Sequence, residues 1–274
     1  MAGESDGPGG TAPPPIPETP EEVARLLGGR RPAVFLDYDG TLTPIVERPD
    51  LAVLSDAMRA SVRRLAGLCP VAVVSGRDRE DVARLVGLDD LAYAGSHGFD
   101  ISGPGGLRIE HEEGATFSAA VERAAERLEA GLQGIDGALV EPKRFAVAVH
   151  YRQVAADRVP AVDEVVAAVL DRVPELRRTD GKKVIELRPR FDWDKGRAVL
   201  WLIDALDLDR PEVVPLYLGD DTTDEDAFRA LAGRGIGILV GAPERETAAD
   251  WMLDDPDAVG RFLDTLSDTL EGRG

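Results

Sequence analysis

The sequence predicts an α/β protein with a doubly wound, Rossmann-like core of parallel strands and an inserted α+β cap domain. Toward both ends of the chain, short apolar runs that stop at polar clusters alternate with helical stretches, a rhythm typical of parallel sheets with helices on both faces. In the middle, neighbouring strands are separated only by short turns, which indicates antiparallel pairing. We therefore divide the chain into a Gly- and Pro-rich disordered tail (1–20), a core (21–106 and 189–274) and a cap (107–188).

The first part of the core alternates strands and amphipathic helices. The run 33–36 is wholly apolar and stops at Asp37, as a strand buried on both faces does. Ser55 is a candidate N-cap for the helix that follows it. The predicted elements are, in order, a helix at 21–27, a strand at 33–36, a helix at 55–68, a strand at 71–74, a helix at 80–86 and a strand at 91–94.

The change to the cap follows a Gly- and Pro-rich run at 102–106. In the cap we predict, in order, a helix at 115–132, strands at 138–143 and 145–152, a helix at 157–173, and strands at 175–179 and 182–188. After Pro189 the parallel rhythm returns, with a helix from Lys195, a strand at 213–218 and a last strand at 237–240.

The composition limits the partners and the surroundings of the chain. Of its 274 residues 43 % are apolar, enough to fill a core, and the formal net charge is −19. A surface this acidic repels nucleic acid and anionic membranes. Cys69 is the single cysteine, so no intrachain disulfide can form, which fits a reducing compartment. With no signal-peptide pattern and no apolar run of roughly 20 residues, we expect a cytoplasmic monomer without nucleic-acid or membrane partners.

Three predicted parallel strands end in polar clusters. These clusters are Asp37 with Asp39, Ser75 with Arg77, and Asp220 with Asp221. Ligands of open α/β sheets bind outside the carboxyl ends of the strands, so we expect the three clusters to lie close together. Crowded carboxylates repel one another unless a hard divalent cation relieves them, and oxygen ligands suit Mg²⁺. None of the three histidines has the spacing of a zinc site.

Carboxylates that hold magnesium point to phosphoryl transfer. In this interpretation Asp37 is the nucleophile and forms an aspartyl-phosphate. Asp39 acts first as general acid on the leaving oxygen and then as general base on the hydrolytic water. Thr41 hydrogen-bonds a phosphoryl oxygen, while Ser75 and Lys195 supply a donor and a positive charge. These five residues form the predicted catalytic set.

Four motifs resemble, in order, those of the haloacid dehalogenase-like superfamily. They are Asp37-Tyr38-Asp39-Gly40-Thr41, Ser75, Lys195, and Gly219-Asp220-Asp221. A narrower set is similar to the trehalose-6-phosphate phosphatases and consists of Ser75-Gly76-Arg77, Ser96-His97-Gly98, Glu141-Pro142-Lys143, His150-Tyr151-Arg152, and Gly181-Lys182-Lys183 with Glu186. This resemblance implies hydrolysis of trehalose 6-phosphate to trehalose and phosphate. It also implies magnesium ligands at Asp37, Asp39 (through its backbone carbonyl) and Asp220, and glucose contacts at Glu141, Lys143 and Glu186.

The period of the cap strands gives an independent indication of the binding face. Alternate residues of a strand share a face, so the small and polar residues of 145–152 lie opposite its bulky apolar ones. We expect the apolar face to carry the cap helices and the polar face to look at the active site. Carboxylates and cations together suit sugar hydroxyls, which both donate and accept. The candidate substrate-binding residues are Arg77, His97, Glu141, Lys143, His150, Arg152 and Glu186.

Other interpretations of the cap residues stay open. Glu141, Lys143 and Glu186 could form a solvated strand face whose ion pairs contribute little. His97 and His150 could be structural hydrogen-bonding residues. The substrate could be another sugar phosphate, such as sucrose 6-phosphate or mannosyl-3-phosphoglycerate, because only the cap contacts would differ.

The candidate metal ligands have alternatives too. The candidate metal ligands are Asp37, Asp39, Asp220 and Asp221. Asp221 could instead orient the ligand or Lys195. A rival from a different class is a catalytically inactive sugar-phosphate sensor. Such a sensor would lack Asp37 or Asp39, and this chain has both.

Overall fold

A core sheet and a cap sheet organise the computed structural model, which describes residues 12–110, 118–190, 193–243 and 246–272. In chain order the strands are β1 (Arg31–Leu36), β2 (Val71–Val74), β3 (Ala92–Gly95), β4 (Asp100–Ser102), β5 (Arg108–Glu110), β6 (Leu139–Pro142), β7 (Val147–His150), β8 (Leu176–Gly181), β9 (Val184–Pro189), β10 (Val213–Gly219), β11 (Ile236–Val240) and β12 (Trp251–Leu253). The core sheet has the order β12-β11-β10-β1-β2-β3-β4-β5, and the cap sheet has the order β6-β7-β9-β8. The predicted α/β core with an inserted α+β cap is confirmed.

Helices cover both faces of the core sheet. In chain order the helices are α1 (Pro20–Leu27), α2 (Asp56–Ala66), α3 (Arg79–Val86), α4 (Ser118–Leu132), α5 (Val159–Arg172), α6 (Lys195–Ala205), α7 (Glu225–Leu231) and α8 (Pro256–Glu271). On one face, α1, α2, α3 and α8 enclose an apolar core, and on the other face α6 and α7 enclose a second one. Within the described ranges, no helix has the length and apolar composition that a membrane span needs.

The strand β1 lies inside the core sheet and determines where a site can form. It pairs in parallel with β10 on one side and with β2 on the other. The strands β3, β11 and β12 extend the parallel pairing, whereas β4 and β5 are added antiparallel at one edge. Because parallel neighbours point the same way, the carboxyl ends of β1, β2 and β10 lie side by side.

Two helix starts follow local capping chemistry. Ser55 is the N-cap of α2, as predicted, and its Oγ accepts a hydrogen bond from the Met58 N–H at 3.1 Å. Asp194 caps α6 in the same way, and its Oδ1 accepts from the Arg197 N–H at 2.8 Å. This cap fixes the start of α6 and therefore places Lys195 in its first turn.

The cap sheet has one apolar and one polar face, as the strand alternation predicts. Val147, Val149, Ile185 and Leu187 are buried together with residues of α4 and α5. On the opposite face, Glu186 lines a cleft between cap and core. The period of two in these strands is therefore enough to tell which side chains face the cleft and which pack against the cap helices.

The structure differs from the predictions where the sequence signal is weak. The strands β4, β5 and β12 are not among the predicted elements, because three residues are too few to show an alternation. The helix α8 is not among them either, because the predicted elements end with the strand at 237–240. It packs on α1 and α2 and completes one face of the core.

The pairing of β5 bears on the boundary between core and cap. The predicted boundary follows residue 106, but Arg108–Glu110 pair with Asp100–Ser102 at the edge of the core sheet. We therefore propose that the cap begins after residue 110. At the other boundary, β9 runs through Pro189. The predicted start of the first cap helix, 115–117, lies outside the described residues.

The N-terminal tail joins the core where it is described. Residues 1–11 lie outside the described residues. The Ile16 N–H donates to the Met252 carbonyl at 3.0 Å, and the Met252 N–H donates to the Pro14 carbonyl at 3.0 Å. Ile16 is buried in the apolar core under α1. The prediction of disorder is therefore wrong for 14–16, because the edge strand β12 offers free backbone groups to this segment.

Candidate active site

Three buried polar side chains lie at the carboxyl ends of adjacent strands. Asp37 follows β1, Ser75 follows β2 and Asp220 follows β10, and all three are less than one-tenth exposed. The register of β1 with its two neighbours brings them to one edge of the sheet. The expected convergence of the three clusters is therefore present in the fold.

Lys195 joins two buried carboxylates at this edge. Its Nζ donates to Asp37 Oδ1 at 2.8 Å and to Asp224 Oδ1 at 2.6 Å. Burial raises the pKa of Asp37, and the Lys195 charge opposes that rise. Burial likewise disfavours the charged ammonium, but the two carboxylates outweigh it and raise the pKa of Lys195. The lysine is therefore a permanent cation that fixes one oxygen of Asp37.

Asp224 organises the loop after β10. Its Oδ1 also accepts from the Tyr217 hydroxyl at 2.6 Å, and its Oδ2 accepts from the N–H groups of Asp220 and Asp221 at 3.0 and 2.9 Å. Both oxygens of this carboxylate are thus engaged within the protein. Tyr217 is absent from the predicted set, although a tyrosine in a buried strand signals a hydroxyl that needs a partner.

Three buried carboxylates lie close enough to one another to hold a cation. One oxygen from each of Asp37, Asp220 and Asp224 falls within 4.8 Å of the others. The Oδ1 atom of Asp220 is buried and has no hydrogen-bond partner among the described residues. Burial and the nearby Asp224 carboxylate raise the pKa of Asp220 to about 7. Because the Asp224 oxygens are engaged, the donor set that fits a hard divalent cation is Asp37 with Asp220.

Asp221 is not brought into this group. It is half-buried, and its Oδ1 accepts from the N–H and the hydroxyl of Thr222 at 2.6 and 3.1 Å. Lys182 from the cap reaches the group instead, and its Nζ lies 2.7 Å from Asp220 Oδ2. Lys182 belongs to a motif noted in the sequence, but its position against Asp220 depends on how the cap lies over the core.

Gly40 is required by the packing of the site. Its φ is +84°, and a Cβ atom there would lie 2.2 Å from Asp220 Oδ2. A side chain at this position would therefore displace the Asp220 carboxylate. The neighbouring Thr41 is fully buried, and its Oγ1 has no hydrogen-bond partner among the described residues.

Arg77 is the partner of Asp39. Its guanidinium donates to both Asp39 oxygens at 2.7 Å, to Asp81 at 3.2 Å and to the Pro49 carbonyl at 2.9 Å, and it stacks over the Tyr38 ring. These contacts use four of the five N–H donors of an arginine predicted to bind substrate. They hold the Asp39 carboxylate, which is 44 % exposed, at the edge of the cleft.

Side chains of the cap and of a core loop form a buried network around Glu186. Its Oε2 lies 2.9 Å from His97 Nε2, and its Oε1 accepts from Lys143 Nζ at 2.5 Å. Burial and the Arg188 charge lower the pKa of His97 to about 3, so the ring is neutral and its Nε2–H donates to Glu186. Burial opposes ionisation of Glu186, but Lys143 and His97 hold the pKa of Glu186 well below its usual value. The network therefore contains one carboxylate and one ammonium at neutral pH.

Residues of core and cap line one common cleft. A second pair in it joins His150 Nε2 to Glu141 Oε2 at 2.7 Å, and Arg152 donates to the Lys182 carbonyl at 2.7 Å. Among the predicted site residues, Thr41 alone does not line this cleft. Those that line it are Asp37, Asp39, Ser75, Arg77, His97, Glu141, Lys143, His150, Arg152, Glu186, Lys195, Asp220 and Asp221.

A His97→Asn variant is expected to make the fold less sensitive to acid. The His97 φ of +57° is one that Asn tolerates. The pKa of about 3 in the folded state lies below that of an unfolded histidine, so the unfolded state gains the proton first as the pH falls. The stability due to the neutral ring is complete above about pH 6.5 and is lost below it, by up to about 1.4 kcal/mol per pH unit. Urea unfolding at about pH 7.5 and 5 measures this loss. An equal change in unfolding free energy between the two pH values in variant and wild type would contradict the neutral state assigned to His97.

The fold and the site define a class of protein. A doubly wound sheet whose first strand runs into Asp-x-Asp, with Lys195 and Asp220 beside it and an inserted cap above, is the arrangement of the haloacid dehalogenase-like hydrolases. The model of the trehalose-phosphatase family matches residues 35–257. The chain belongs to that family.

Similar proteins carry related names. Over 92 % of its length the chain is 44 % identical to a trehalose 6-phosphate phosphatase of Zea mays, of which it covers 74 %. It is also 48 % identical over 91 % of its length to an uncharacterized glycosyl hydrolase of Mycobacterium tuberculosis, but it spans only 19 % of that longer protein. The C-terminal domain of C. albicans trehalose-6-phosphate phosphatase matches 94 % of the chain and 99 % of itself, with a TM-score of 0.80 at 24 % identity. This last likeness concerns the fold.

Proposed function

We propose that the chain hydrolyses trehalose 6-phosphate to trehalose and phosphate, with Mg²⁺ as its cofactor. The observation that carries this proposal is the cleft in which Asp37 and Asp220 of the core share one space with Glu186 and Lys143 of the cap. The family and the 44 % identity to the maize phosphatase support the substrate.

Asp37 is the nucleophile in this proposal. Lys195 binds one oxygen of its carboxylate, which leaves the other to attack the phosphorus atom and form an aspartyl-phosphate. Asp37 and Asp220 would hold Mg²⁺, which would neutralise charge at the phosphoryl oxygens. The Ser75 hydroxyl, which lines the cleft, donates a hydrogen bond to the same oxygens.

Asp39 moves the proton. In its acid form it donates a proton to the sugar oxygen as the phosphorus–oxygen bond breaks, and as a carboxylate it then accepts a proton from the water that hydrolyses the intermediate. Arg77 fixes the direction of this carboxylate with two hydrogen bonds. Arg77 therefore acts through Asp39 and not through the sugar.

The cap selects the sugar. The network of Glu186, Lys143 and His97 and the pair of Glu141 with His150 place acceptors and donors on one wall of the cleft. Sugar hydroxyls need both. These groups act on binding of the leaving group, and Lys143 and His97 also bond to the backbone of Gly76 and Ser75 beside the phosphoryl site.

The same proposal extends to the surroundings of the enzyme. We propose a cytoplasmic monomer whose substrate is its one partner. The net charge of −19 supports the absence of nucleic-acid and anionic-membrane partners, because like charges repel.

A substrate panel tests the function. With Mg²⁺ present, phosphate release from trehalose 6-phosphate is expected to exceed that from glucose 6-phosphate, sucrose 6-phosphate and mannosyl-3-phosphoglycerate by at least about tenfold in kcat/KM. The reason is that the buried polar groups of the cap lose partners when a sugar does not match them. Phosphate release is followed colorimetrically.

Two further arms of this experiment make it decisive. EDTA is expected to abolish turnover and added Mg²⁺ to restore it, since the carboxylates of Asp37 and Asp220 repel a phosphate without a cation. Equal turnover of trehalose 6-phosphate and glucose 6-phosphate would refute the disaccharide specificity. Full activity in EDTA would refute the metal assignment and leave the substrate assignment untouched.

A further inference from the structure

The turn between β6 and β7 docks on the core through its backbone and its side chains. The Arg144 N–H donates to both oxygens of Asp78, at 3.1 and 3.2 Å, and the Arg144 guanidinium donates to Asp100 Oδ2 at 3.2 Å. Next to it, the Phe145 ring stacks on Phe99 of the core at 5.9 Å between centroids. This turn also carries Lys143, which belongs to the Glu186 network.

Asp78 is diverted from the role that its position suggests. It occupies the N-cap of α3, where an aspartate normally accepts a hydrogen bond from the helix, yet its side chain makes no such bond. Its Oδ1 accepts instead from the Ser96 hydroxyl at 3.0 Å, in addition to the Arg144 N–H. One carboxylate therefore ties a loop of the core to a turn of the cap.

The loop that Asp78 holds is strained. Ser96 and His97 both have positive φ, 50° and 57°, in a region that residues with a Cβ atom rarely adopt. The backbone of this loop is pinned by hydrogen bonds from the Ser96 N–H to the Arg77 carbonyl at 2.7 Å and from the His97 N–H to the Ser75 carbonyl at 2.9 Å. Such conformations persist only where the surroundings hold them in place. Here they aim the His97 ring at Glu186.

Asp100 is the second core residue that contacts the turn between β6 and β7. Its side chain is 3 % exposed and accepts from Arg79 Nε at 2.9 Å on the core side and from Arg144 on the cap side. A carboxylate this deeply buried is stable only with both its charge and its hydrogen bonds satisfied. Asp78 and Asp100 therefore form a docking site on the core for the Arg144 turn, and this contact is called the seat below.

We infer that Asp78 and Asp100 are positioning residues for sugar selection. They seat the turn that carries Lys143 against the loop that carries His97, so that both side chains converge on Glu186. This inference rests on the proposed function. Without the seat, the sugar-binding wall loses its shape. The nucleophile Asp37 follows β1, Asp220 follows β10 and Lys195 begins α6, whereas the loop that Asp78 holds bonds to the carbonyls of Ser75 and Arg77 after β2.

Three variants test the inference. Asp78→Ala and Asp100→Asn remove the core side of the seat. Arg144→Gln removes the guanidinium contact with Asp100 and leaves Asp100 paired with Arg79 and the Arg144 N–H bonded to Asp78. Glu175→Gln is the control, because it breaks an exposed cap ion pair with Arg123 that is remote from the network. Asp78→Ala should leave α3 intact, since the side chain does not cap it. If buried Asp100→Asn does not fold, the half-exposed Arg144→Gln tests the same contact.

The measurement compares two substrates of different size. For trehalose 6-phosphate, each seat variant is expected to raise KM and lower kcat/KM by about 10- to 100-fold. For p-nitrophenyl phosphate, which makes no sugar contacts, both constants should stay within about twofold of wild type. An Asp100→Asn/Arg144→Gln double variant should lose no more than the worse single variant, because the two residues form one contact. Equal losses for both substrates, or a preserved preference for the sugar phosphate, would overturn the inference.

Hydrogen–deuterium exchange separates this inference from the proposed function. The seat variants are expected to exchange faster in residues 96–99 and 143–146 than wild type and Glu175→Gln. If the wild type prefers a different sugar phosphate, the proposed substrate is wrong, and the seat is tested on that sugar phosphate with the same comparison. Unchanged exchange in both segments would contradict the seat whatever the substrate is.

Discussion

Asp37→Asn is expected to lower turnover by at least about 10⁴-fold, because an amide cannot form the aspartyl-phosphate, an acyl phosphate, through which the reaction passes. The substitution preserves the shape of a side chain that is 4 % exposed. Lys195 keeps its hydrogen bond to Asp224, so the buried ammonium still has a carboxylate partner. We therefore expect a folded and inactive protein.

The measurement is the rate of phosphate release under saturating trehalose 6-phosphate and Mg²⁺, together with the circular dichroism spectrum and the Tm. Asp268→Asn is the matched control, since Asp268 pairs with Arg64 on the surface. It should keep the wild-type rate. A near-normal rate in Asp37→Asn would rule out the aspartyl-phosphate mechanism, and a loss of the folded spectrum would show that Asp37 is needed for stability as well.

Lys195→Met is expected to cost about 3–5 kcal/mol of unfolding free energy as well as activity. Lys195 is 3 % exposed and is the cation between Asp37 and Asp224. Without it, two buried carboxylates face each other with no charge between them. The pKa of Asp37, already raised by burial, should rise further once its main opposing charge is gone.

The loss of stability in Lys195→Met is expected to depend on pH. A carboxyl whose pKa is higher in the folded state loses its stabilising contribution as the pH rises through the folded pKa. The variant should therefore be most destabilised at alkaline pH and should recover part of its stability in acid. Urea unfolding in EDTA across the pH range measures this, because a bound cation would otherwise stabilise the folded state by mass action.

Arg229→Met is the matched control for Lys195→Met. Arg229 is 63 % exposed and pairs with Asp226 on the surface of α7, so its loss should change the stability by no more than about 0.5 kcal/mol. A loss of less than about 1 kcal/mol in Lys195→Met would show that the two carboxylates are not both ionised in the folded protein.

Much of the core could be predicted from the sequence because its signals are local. The apolar run that ends at Asp37 gives a buried parallel strand, and the same pattern before Asp220 gives its neighbour. Since parallel strands align their carboxyl ends, sequence-distant residues such as these had to meet. The period of two in β7 likewise determined which face of the cap is apolar.

The sequence by itself determined the two carboxylates that lie together at the sheet edge, the lysine beside them and the polar wall of the cap. Only the tertiary structure decided the partner of each long side chain. Arg77 is directed to Asp39, Asp78 seats the Arg144 turn instead of capping α3, and Lys182 reaches Asp220. The physical reason is that strand period and strand ends are properties of consecutive residues. A guanidinium, an ammonium or a surface carboxylate can turn to any partner within its reach, and that choice depends on how the cap packs on the core.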